Sequence, residues 1–563
     1  MVNTKKIVVI GGVAAGPKVG SKIIRMQPDT DVTLIEKGEF LSYAGCGLPY
    51  YVSGVVKEQA ELMSTPVGTV RDSVFFQNVK NVHVFNRTEA IKIDKENKKV
   101  MLKSLTDGIE KEIDYDKLVI ATGASPVIPP INNINLKNVF TLHGVEDAEG
   151  IKAAFAEHKA QDVTIIGGGL IGIEMAEALN DLGARVTIME RLPQILTFLD
   201  WEMSQLVVQH LESKGVKVLV NTTVTALKGS DTVEKVVTET CERCSDVVIV
   251  SVGVRPNITL AKDCGLKIGS CGGIEVNNQM QTSDQDIYAA GDCVETKDII
   301  TGKNCLMPLG SIANKQGRVA AINICSDKKV FFPGVLKTAI CKVFEYGVAS
   351  TGLNERTAKE QGFDYITVMS PAPDKAHFYP DAKLIMLKMV VDSNSGRLLG
   401  MQAVGPGGVD KRIDVAVTAI TASMTVDDIA ELDLAYAPPF SPAMDNIITA
   451  ANIARNKLAG CFASISPVEV KAKLDDNEDF ILLDVRSNQE YEMMYLENST
   501  LIPLGKLREQ CDSLPKDKDI IVYCKISLRG YEAALILKSV GFTNVKVMDG
   551  GLLMWPYKKI IKR

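Results

Sequence analysis

Two cysteines lie in surroundings where a thiol could take part in chemistry. Cys46 stands among small residues in FLSYAGCGLPYYVSG, so a reactant could approach its sulfur closely. Cys524 follows the apolar run DIIVY and opens the six-residue loop CKISLR, which ends at Arg529. Backbone amides curled around a sulfur, together with a guanidinium, can hold a negatively charged persulfide. Both cysteines are therefore candidates for a reactive thiol.

A glycine-rich loop in the second quarter of the chain predicts a dinucleotide site. Gly167, Gly169 and Gly172 follow an apolar run in IIGGGLIGIE, where backbone amides can reach a pyrophosphate at a helix N-terminus. Glu190 ends the next strand, VTIME, where a carboxylate would bind the ribose hydroxyls. That carboxylate favours NADH over NADPH, whereas Arg191 could pair with a 2′-phosphate, so both cofactors stay open.

An earlier loop has the same pattern with one departure. In IGGVAAG, Val13 replaces the middle glycine, and Glu36 at the end of VTLIE supplies the ribose carboxylate. The candidate contacts of this loop are Gly11, Gly12, Ala15 and Gly16. Further on, Asp292 in IYAAGDC ends a strand and could hydrogen-bond a polyol or a phosphate through water.

Both loops belong to a unit of strand, glycine turn, helix and strand ending in Glu, which begins near residues 5 and 161. The alternation of apolar runs with helical spacing predicts parallel sheets in α/β domains. Residues 335–455 contain TAICKVFEYGVASTG and KLIMLKMVV, which predict antiparallel strands in an α+β domain. RNKLAGCFASISP predicts a linker, after which a further α/β alternation begins.

The segments IATGAS and IYAAGDC resemble the flavoprotein disulfide reductase family, and the resemblance covers roughly residues 1–455. It implies that the first unit binds FAD and the second binds NAD(P)H. By position, it implies further cofactor contacts at Lys37, Ser42, Ala121, Thr122, Gly123, Gly253, Gly291 and Asp292.

The segment SYAGCGLPYY resembles the SFxxCGLPYY signature of coenzyme A disulfide reductases. Disulfide reductases often have a second cysteine five residues later, where this chain has Tyr51. The resemblance therefore implies that Cys46 cycles alone, as a mixed disulfide, a persulfide or a sulfenic acid. NADH oxidases and peroxidases share a similar loop, so an oxidase or peroxidase cycling through sulfenic acid is the alternative enzyme. A redox-sensing flavoprotein is the alternative that is not primarily an enzyme.

Two later segments, AYAPPFSPAMD and AHFYP, resemble parts of the same reductases. The family is homodimeric, and the resemblance implies that Tyr436 and Tyr379 act on the cysteine of the partner subunit. Arg25 and Ser42 match family positions that contact coenzyme A. Lys18 and Lys22, four residues apart, lie on one helix side and with Arg25 form a cationic face that could bind its phosphates. The departures from the family pattern are Gly45 for Asn, Phe378 for Tyr and Met444 for a basic residue.

The segments LLDVRSNQEY, VYCKISLRG and VMDGGLLMW resemble a single-domain rhodanese across residues 464–563. The resemblance implies that Cys524 carries sulfane sulfur beside Arg529, and that Asp484 and Arg486 form the structural DVR motif. Ser527 replaces the glycine of the usual CxxGxR, and the usual GHI motif is absent.

We therefore predict an α/β protein with two Rossmann-like dinucleotide-binding domains, an α+β dimerisation domain and a C-terminal α/β rhodanese domain. The predicted ranges are 1–150 and 253–332 for the FAD-binding domain, 151–252 for the NAD(P)H-binding domain, 333–455 for the dimerisation domain and 464–563 for the rhodanese domain.

Composition excludes several other classes. A net charge of −6 argues against nucleic-acid binding, and no long apolar run predicts a signal peptide or a membrane span. Twelve scattered cysteines fit a reducing cytoplasm rather than a disulfide framework. Cys241 and Cys244 form an isolated CxxC without the second pair or the histidines that zinc needs, so we expect no metal site.

The predicted function is an FAD-dependent NAD(P)H oxidoreductase that reduces disulfides, persulfides or polysulfides through Cys46. Coenzyme A is the predicted carrier thiol, either as coenzyme A disulfide or as its persulfide. The small-molecule disulfide or persulfide is the expected partner, together with a second copy of the chain.

Overall fold

A computed structural model of the chain describes residues 5–158 and 161–561. Its backbone divides into two compact units. The first contains Met1–Pro193 and Gly215–Val335, and the second contains Gln194–Lys214 and Leu336–Arg563.

The first βαβ element of the first unit is a strand at Lys6–Ile10, a helix at Ala15–Met26 and a strand at Asp31–Ile35. The two strands pair in parallel, Lys6 opposite Asp31. The run IVVI is buried along its whole length, as expected for a strand covered on both faces. The parallel sheet runs, in spatial order, Ile287–Ala289, Lys117–Ile120, Lys6–Ile10, Asp31–Ile35 and His83–Phe85.

The second βαβ element repeats this arrangement with a strand at Asp162–Ile166, a helix at Leu170–Asp181 and a strand at Arg185–Met189. Its parallel sheet runs Lys217–Leu219, Arg185–Met189, Asp162–Ile166, Val247–Val250 and Val139–Phe140. Both predicted βαβ units are therefore present.

The other elements of the first unit surround these two sheets. Two antiparallel sheets are formed by Thr88–Asp94, Lys99–Ser104 and Glu110–Asp114, and by Val224–Lys228, Lys235–Thr238 and Glu242–Cys244. Short antiparallel pairs join Ala124–Pro126 with Val254–Pro256 and Thr296–Lys297 with Asn304–Cys305. The helices are Leu48–Val52, Ser73–Lys80, Val145–His158, Thr259–Asp263 and Gly310–Cys325, with 3₁₀ turns at Gly45–Gly47 and Gln59–Met63.

The second unit begins with the helix Trp201–Ser213 and an antiparallel sheet. In spatial order, the strands are Ala339–Val343, Tyr346–Gly352, Leu398–Gly405, Leu384–Asp392 and Tyr365–Pro373. The helices are Glu355–Glu360, Val409–Thr421, Val426–Ala430 and Asn446–Leu458. This is the predicted α+β arrangement.

A parallel sheet occupies the C-terminal part of the second unit, in the order Ala463–Ile465, Val545–Met548, Asp519–Tyr523, Phe480–Asp484 and Ser499–Leu501. Its helices are Pro467–Asp475, Asn488–Met493, Leu504–Gln510 and Leu528–Ser539, with 3₁₀ turns at Cys511–Ser513 and Gly551–Met554. A short antiparallel pair joins Met494–Tyr495 with Ile560–Ile561.

The segment predicted as a linker, RNKLAGCFASISP, is mostly regular structure. Its first residues complete the helix Asn446–Leu458, and Ala463–Ile465 pairs in parallel with Val545–Met548. Between them only residues 459–462 lie outside helix and strand. The linker prediction is therefore wrong for most of this segment, because its strand of three residues pairs with a strand 83 positions further along the chain, Ala463 opposite Lys546.

The predicted fold class is confirmed by these sheets and helices. None of the helices in residues 5–158 and 161–561 is both long and apolar enough to cross a lipid bilayer. All twelve cysteines are free thiols, and four of them, Cys46, Cys241, Cys244 and Cys271, are exposed.

Candidate active site

Both glycine loops depend on backbone contacts that are too close for a larger side chain. A Cβ atom added to Gly16 would lie 1.8 Å from the Gly11 carbonyl oxygen, and one added to Gly172 would lie 2.2 Å from that of Gly167. Gly11 and Gly167 have φ angles of +116° and +109°, a region that glycine adopts readily. The two loops thus share the geometry that lets a helix N-terminus approach a pyrophosphate.

A glutamate supports each loop from the end of the next strand. The Glu36 carboxylate accepts hydrogen bonds from the backbone N–H of Gly12 at 2.5 Å and of Gly38 at 2.7 Å. The Glu190 carboxylate accepts from Gly168 at 2.7 Å and from Leu192 at 2.8 Å. The close glycine contacts and these carboxylates fit a dinucleotide at each loop.

The IATGAS segment is fixed by Asn257, a residue that the sequence analysis missed. Asn257 donates from Nδ2 to the Thr122 carbonyl at 2.9 Å and from its backbone N–H to the Gly123 carbonyl at 2.9 Å. The Thr122 hydroxyl donates in return to the Asn257 carbonyl at 2.7 Å. Gly253 has a φ of +110°, and its carbonyl accepts a hydrogen bond from the Val127 N–H. This bond also joins the IATGAS segment to the segment that contains Asn257.

Asp292 is a half-buried carboxyl beside the first loop. It makes no hydrogen bond with any residue that the structure describes, and burial raises its pKa to about 6. Its neighbour Gly291 donates its N–H to Gln316 Oε1 at 2.8 Å, which fixes the local backbone. An unsatisfied carboxyl here suits a polyhydroxyl ligand, which supports FAD as the group that fits the first loop.

Cys46 is exposed in a 3₁₀ turn, Gly45–Gly47, directly before the helix Leu48–Val52. The N–H of Ala44 donates to the Leu62 carbonyl at 2.9 Å, and Ser42 donates its N–H to the Gly12 carbonyl at 2.8 Å. The cysteine segment is therefore hydrogen-bonded to the first glycine loop. Ser42, with a φ of +50°, turns the backbone at this point.

Tyr51 stands where a second cysteine occurs in two-cysteine reductases, and it is a buried anchor. Its hydroxyl donates to Glu149 Oε1 at 2.5 Å, and Lys152 Nζ lies 3.6 Å from the ring centroid. Burial, together with the Glu149 carboxylate, raises the pKa of Tyr51 to about 12. This residue has a structural role in place of the missing thiol.

Three of the four predicted coenzyme A residues lie on the helix Ala15–Met26, and the fourth, Ser42, lies in the cysteine segment. Lys18 and Lys22 are half-exposed and Arg25 is exposed. Within the described part of the chain, these three cations have no carboxylate partner, so they remain available to an anion. Gly45 also leaves room, because its nearest neighbour to an added Cβ is Tyr43 Cε2 at 3.9 Å.

The two predicted tyrosines belong to the second unit and are both accessible. Tyr379 is 38% exposed and Tyr436 is 54% exposed. Their segments are joined where the Ala376 N–H donates to the Pro438 carbonyl at 3.3 Å. Phe378 and Met444, two of the departures from the family pattern, are also exposed.

Arg412, which the sequence analysis missed, holds both tyrosine segments. It is buried and donates from Nη2 to the Asp374 carbonyl at 2.7 Å and to Asp445 Oδ2 at 2.8 Å. Asp374 precedes AHFYP and Asp445 ends AYAPPFSPAMD. One guanidinium thus fixes the backbone on which both phenols are presented.

The Cys524 loop follows the buried strand Asp519–Tyr523, and the cysteine is itself buried. Ser527 has a φ of +80° and donates its hydroxyl to the Met548 carbonyl at 3.0 Å. Arg529 binds Glu490 through two nitrogens, at 2.6 and 2.7 Å. These bonds and, to a smaller extent, the nearby Cys524 raise the pKa of its guanidinium.

Glu490 is a further site residue that the sequence analysis did not identify. Hydrogen bonds from Arg529, and also from Ser487, lower the pKa of its carboxyl to about 2. The carboxylate also accepts from the Ser487 N–H at 3.0 Å in a capping box at the start of the helix Asn488–Met493. Its only signal in the sequence was the SNQE pattern of that box.

One cluster of carboxylates has the spacing of a metal site. Oxygens of Asp200, Glu202 and Glu355 lie within 4.8 Å of one another. The buried ammonium of Lys388 forms ion pairs with each of them, at 2.8 Å to Asp200. The Lys388 ammonium therefore occupies the position that a metal ion would take among these carboxylates.

The two glycine loops share one geometry, and the cysteine segment is hydrogen-bonded to the first of them. This is the arrangement of a redox enzyme that uses two dinucleotides.

Residues 5–317 match the pyridine nucleotide-disulphide oxidoreductase model, and residues 338–448 match the dimerisation domain of the same family. Residues 466–557 match a rhodanese-like domain. The chain belongs to the pyridine nucleotide-disulphide oxidoreductases and has a C-terminal rhodanese-like domain.

Similar proteins agree with this assignment. An NAD(P)H sulfur oxidoreductase (CoA-dependent) of Pyrococcus abyssi is 40% identical over 450 residues, which cover 80% of this chain and 98% of that protein. The structure of an NAD-dependent persulfide reductase from A. fulgidus is 47% identical, with a TM-score of 0.93, covering 98% of this chain and 100% of that one. Reduced CoADR-RHD from Bacillus anthracis is 36% identical, with a TM-score of 0.93, covering 98% of each chain.

The family resemblance and the enzyme class predicted from the sequence are thereby confirmed. FAD and NAD(P)H are the cofactors of this family, as predicted. The roles of individual residues remain predictions.

The conformation of Ser527 yields a stability prediction. Ser527→Ala keeps the left-handed backbone and loses the hydroxyl bond to Met548, whereas Ser527→Gly loses the bond but removes the backbone strain. We expect the glycine variant to be more stable locally than the alanine variant by about 1 kcal/mol. Hydrogen exchange of the amides in the helix Leu528–Ser539 measures this difference. An alanine variant that is as stable as the glycine variant would show that the backbone is unstrained.

Proposed function

We propose that this protein is an FAD-dependent NAD(P)H oxidoreductase that cleaves sulfur–sulfur bonds, with Cys46 as its single redox cysteine. The observation that carries the proposal is the exposed Cys46 thiol in a segment bonded to the first dinucleotide loop through Ser42 and Gly12. Tyr51, at the position of a second cysteine, is engaged with Glu149 and supplies no thiol. The substrates are disulfides, persulfides or polysulfides of a small thiol.

Coenzyme A is the proposed carrier thiol. The Pyrococcus abyssi relative is described as CoA-dependent, and the A. fulgidus enzyme as a persulfide reductase. In this chain, Lys18, Lys22 and Arg25 present unpaired positive charge on one helix, which suits the phosphates of coenzyme A. A Cβ added to Gly45 would meet its nearest neighbour, Tyr43 Cε2, at 3.9 Å, so glycine here adds no atoms between Cys46 and an approaching thiol.

The proposed reaction begins when the Cys46 thiolate attacks one sulfur of the substrate S–S bond. A mixed disulfide or persulfide forms on Cys46, and the displaced thiolate takes a proton from Tyr436. Tyr379 hydrogen-bonds the same departing sulfur. FAD, when bound, supplies the two electrons of NADH that reduce this bond. Cys46 is then released as a thiolate together with the second thiol or hydrogen sulfide. In this scheme the tyrosines come from the second subunit of a homodimer, which the matched dimerisation domain supports.

The rhodanese-like domain is the proposed sulfur carrier. Cys524 would accept sulfane sulfur from a donor as a persulfide, held by the amides of its loop and by Arg529, and pass it to a small thiol. All twelve cysteines are free, which supports work in a reducing cytoplasm. We also propose the predicted ranges of the four domains, including residues 464–563 for the rhodanese domain.

A substrate panel tests the proposal against the oxidase, the peroxidase and the sensor. NADH consumption and sulfide release are measured without oxygen, using coenzyme A disulfide, coenzyme A persulfide and polysulfide, and then with oxygen or peroxide alone. We expect rapid turnover with the sulfur substrates. Turnover confined to oxygen or peroxide would establish the sulfenic-acid alternative, and slow turnover throughout would favour the sensor.

The role of Cys46 is tested by Cys46→Ser. Serine cannot form a mixed disulfide, so disulfide reduction and the thiolate-to-flavin charge-transfer band should both be lost while FAD stays bound. Steady-state kinetics and visible absorption measure these effects. Cys241→Ser, which removes another exposed thiol, is the matched control and should change neither. Full substrate-dependent turnover in Cys46→Ser would contradict the assignment.

The carboxylate of Glu190 predicts a preference for NADH. A 2′-phosphate beside Glu190 loses about 1–3 kcal/mol, so kcat/KM should be about 5- to 150-fold higher for NADH than for NADPH. Kinetics with both cofactors measure this ratio. Arg191→Ala should leave kcat/KM for NADH unchanged. If the enzyme prefers NADPH instead, Arg191 binds the 2′-phosphate more strongly than Glu190 repels it, and the role given to Glu190 is wrong.

The carrier role of Cys524 predicts a dependence on the sulfur donor. Cys524→Ser should spare the reduction of coenzyme A disulfide, because Cys46 is intact. It should strongly reduce turnover with thiosulfate or polysulfide, because the fused carrier raises the local concentration of its cargo. Cys511→Ser, in the core of the same domain, is the control. Equal activity of Cys524→Ser and the wild type on every donor would remove the rhodanese-like domain from the catalytic cycle.

A further inference from the structure

Residues 548–552, here named the carrier wall, cover one side of the Cys524 loop. The Leu552 N–H donates to the Cys524 carbonyl at 2.8 Å, and the Ser527 hydroxyl donates to the Met548 carbonyl. A Cβ added to Gly551 would lie 2.4 Å from the Cys524 carbonyl oxygen, so the wall lies directly against the loop. The shape of the loop therefore depends on where the wall is held.

The opposite side of the carrier wall contacts the α+β part of the same unit. Asp549 Oδ2 lies 2.5 Å from Lys457 Nζ, and that ammonium also donates to the Thr367 carbonyl at 2.7 Å. A Cβ added to Gly550 would lie 3.2 Å from Met369 Cβ, in the same strand as Thr367. Lys457 belongs to the last turn of the helix Asn446–Leu458.

The Lys457–Asp549 pair is almost completely removed from solvent. The side chains are 6% and 7% exposed. Two buried charges gain little stability over apolar residues of the same size, because desolvation offsets their attraction. Their geometry is directional, however, and each charge left alone would be strongly unfavourable. Such a pair fixes a position more than it adds stability.

We propose that the Lys457–Asp549 ion pair is a positioning element for the Cys524 loop. Lys457, from the reductase part of the chain, holds the carrier wall closed on the loop, so the geometry of the sulfur carrier depends on the domain to which it is fused. The inference rests on the proposed carrier role of Cys524 for its functional consequence. Lys457 and Asp549 are positioning residues and touch no substrate in this scheme.

Two variants of the full-length protein test this. Lys457→Met removes the ammonium with little change in length, and Asp549→Asn removes the opposite charge with almost no change in shape. Alkylation of Cys524 by iodoacetamide, followed by peptide mass spectrometry, reports opening of the loop. Cys511 in the same domain core reports unfolding of the domain. We expect Cys524 to react about tenfold faster or more in both variants while Cys511 stays protected.

A functional readout accompanies the alkylation. With thiosulfate as donor and cyanide as acceptor, both variants should lose sulfurtransferase activity mainly through kcat, and Lys457→Arg should restore most of it. Reduction of coenzyme A disulfide, which needs Cys46 and not Cys524, should match the wild type.

Three results would overturn the proposal. These are unchanged Cys524 alkylation in both variants, equal exposure of Cys524 and Cys511, and sulfurtransferase activity that is unaffected although the loop opens. A wild type without sulfurtransferase activity would instead disprove the carrier role. The alkylation rates would then still decide whether the ion pair holds the loop.

Discussion

The close approach of backbone to backbone at the two glycine loops is the constraint on which the rest of the first unit depends. Gly16 lies against the Gly11 carbonyl, so the four residues between the strand Lys6–Ile10 and the helix Ala15–Met26 must form a tight turn. The Gly12 carbonyl then receives the N–H of Ser42, which fixes the start of the cysteine segment. A cofactor at this loop and the thiol of Cys46 are therefore placed by one continuous set of backbone contacts. A side chain at Gly16 would disturb both.

The second unit is fixed by buried charges instead. Lys388 sits among three carboxylates, Arg412 binds Asp445, and Lys457 binds Asp549. Each of these pairs joins elements that are distant in the sequence, and each would leave an uncompensated charge if one partner were removed. This suits a region whose proposed function is to present side chains: the tyrosines near Arg412 and the sulfur loop near Lys457. Apolar packing alone would tolerate small shifts that directional ion pairs resist.

The sequence was sufficient for the parts whose signals are local. The βαβ units, their glutamates and the two cysteine loops each lie within a short stretch of chain, where spacing and periodicity carry the information. The supporting residues were missed because their partners are remote. Asn257 bonds to Thr122 across 135 positions, Lys457 to Asp549 across 92 and Arg529 to Glu490 across 39. An asparagine or a lysine with no local pattern gives no indication of such a partner.

The linker error has the same cause. Gly460, with a φ of +68°, follows the helix Asn446–Leu458, and in a sequence a glycine at a helix end indicates the start of a connection. What makes this segment rigid is the pairing of Ala463–Ile465 with a strand at the far end of the chain. Composition describes how a segment behaves alone, whereas the sheet supplies the partner that orders it.

The arrangement around Arg529 shows why the carrier wall matters for the proposed chemistry. Glu490 occupies two guanidinium nitrogens, so much of the positive charge that Arg529 could offer to a persulfide is already neutralised. The backbone amides of the loop must then contribute most of the stabilisation of a sulfur anion, and amides act only when the loop keeps its curvature. That curvature depends on the wall that bonds to the Cys524 carbonyl. A carrier built in this way holds sulfur through its shape, and its shape is set by a lysine outside its own domain.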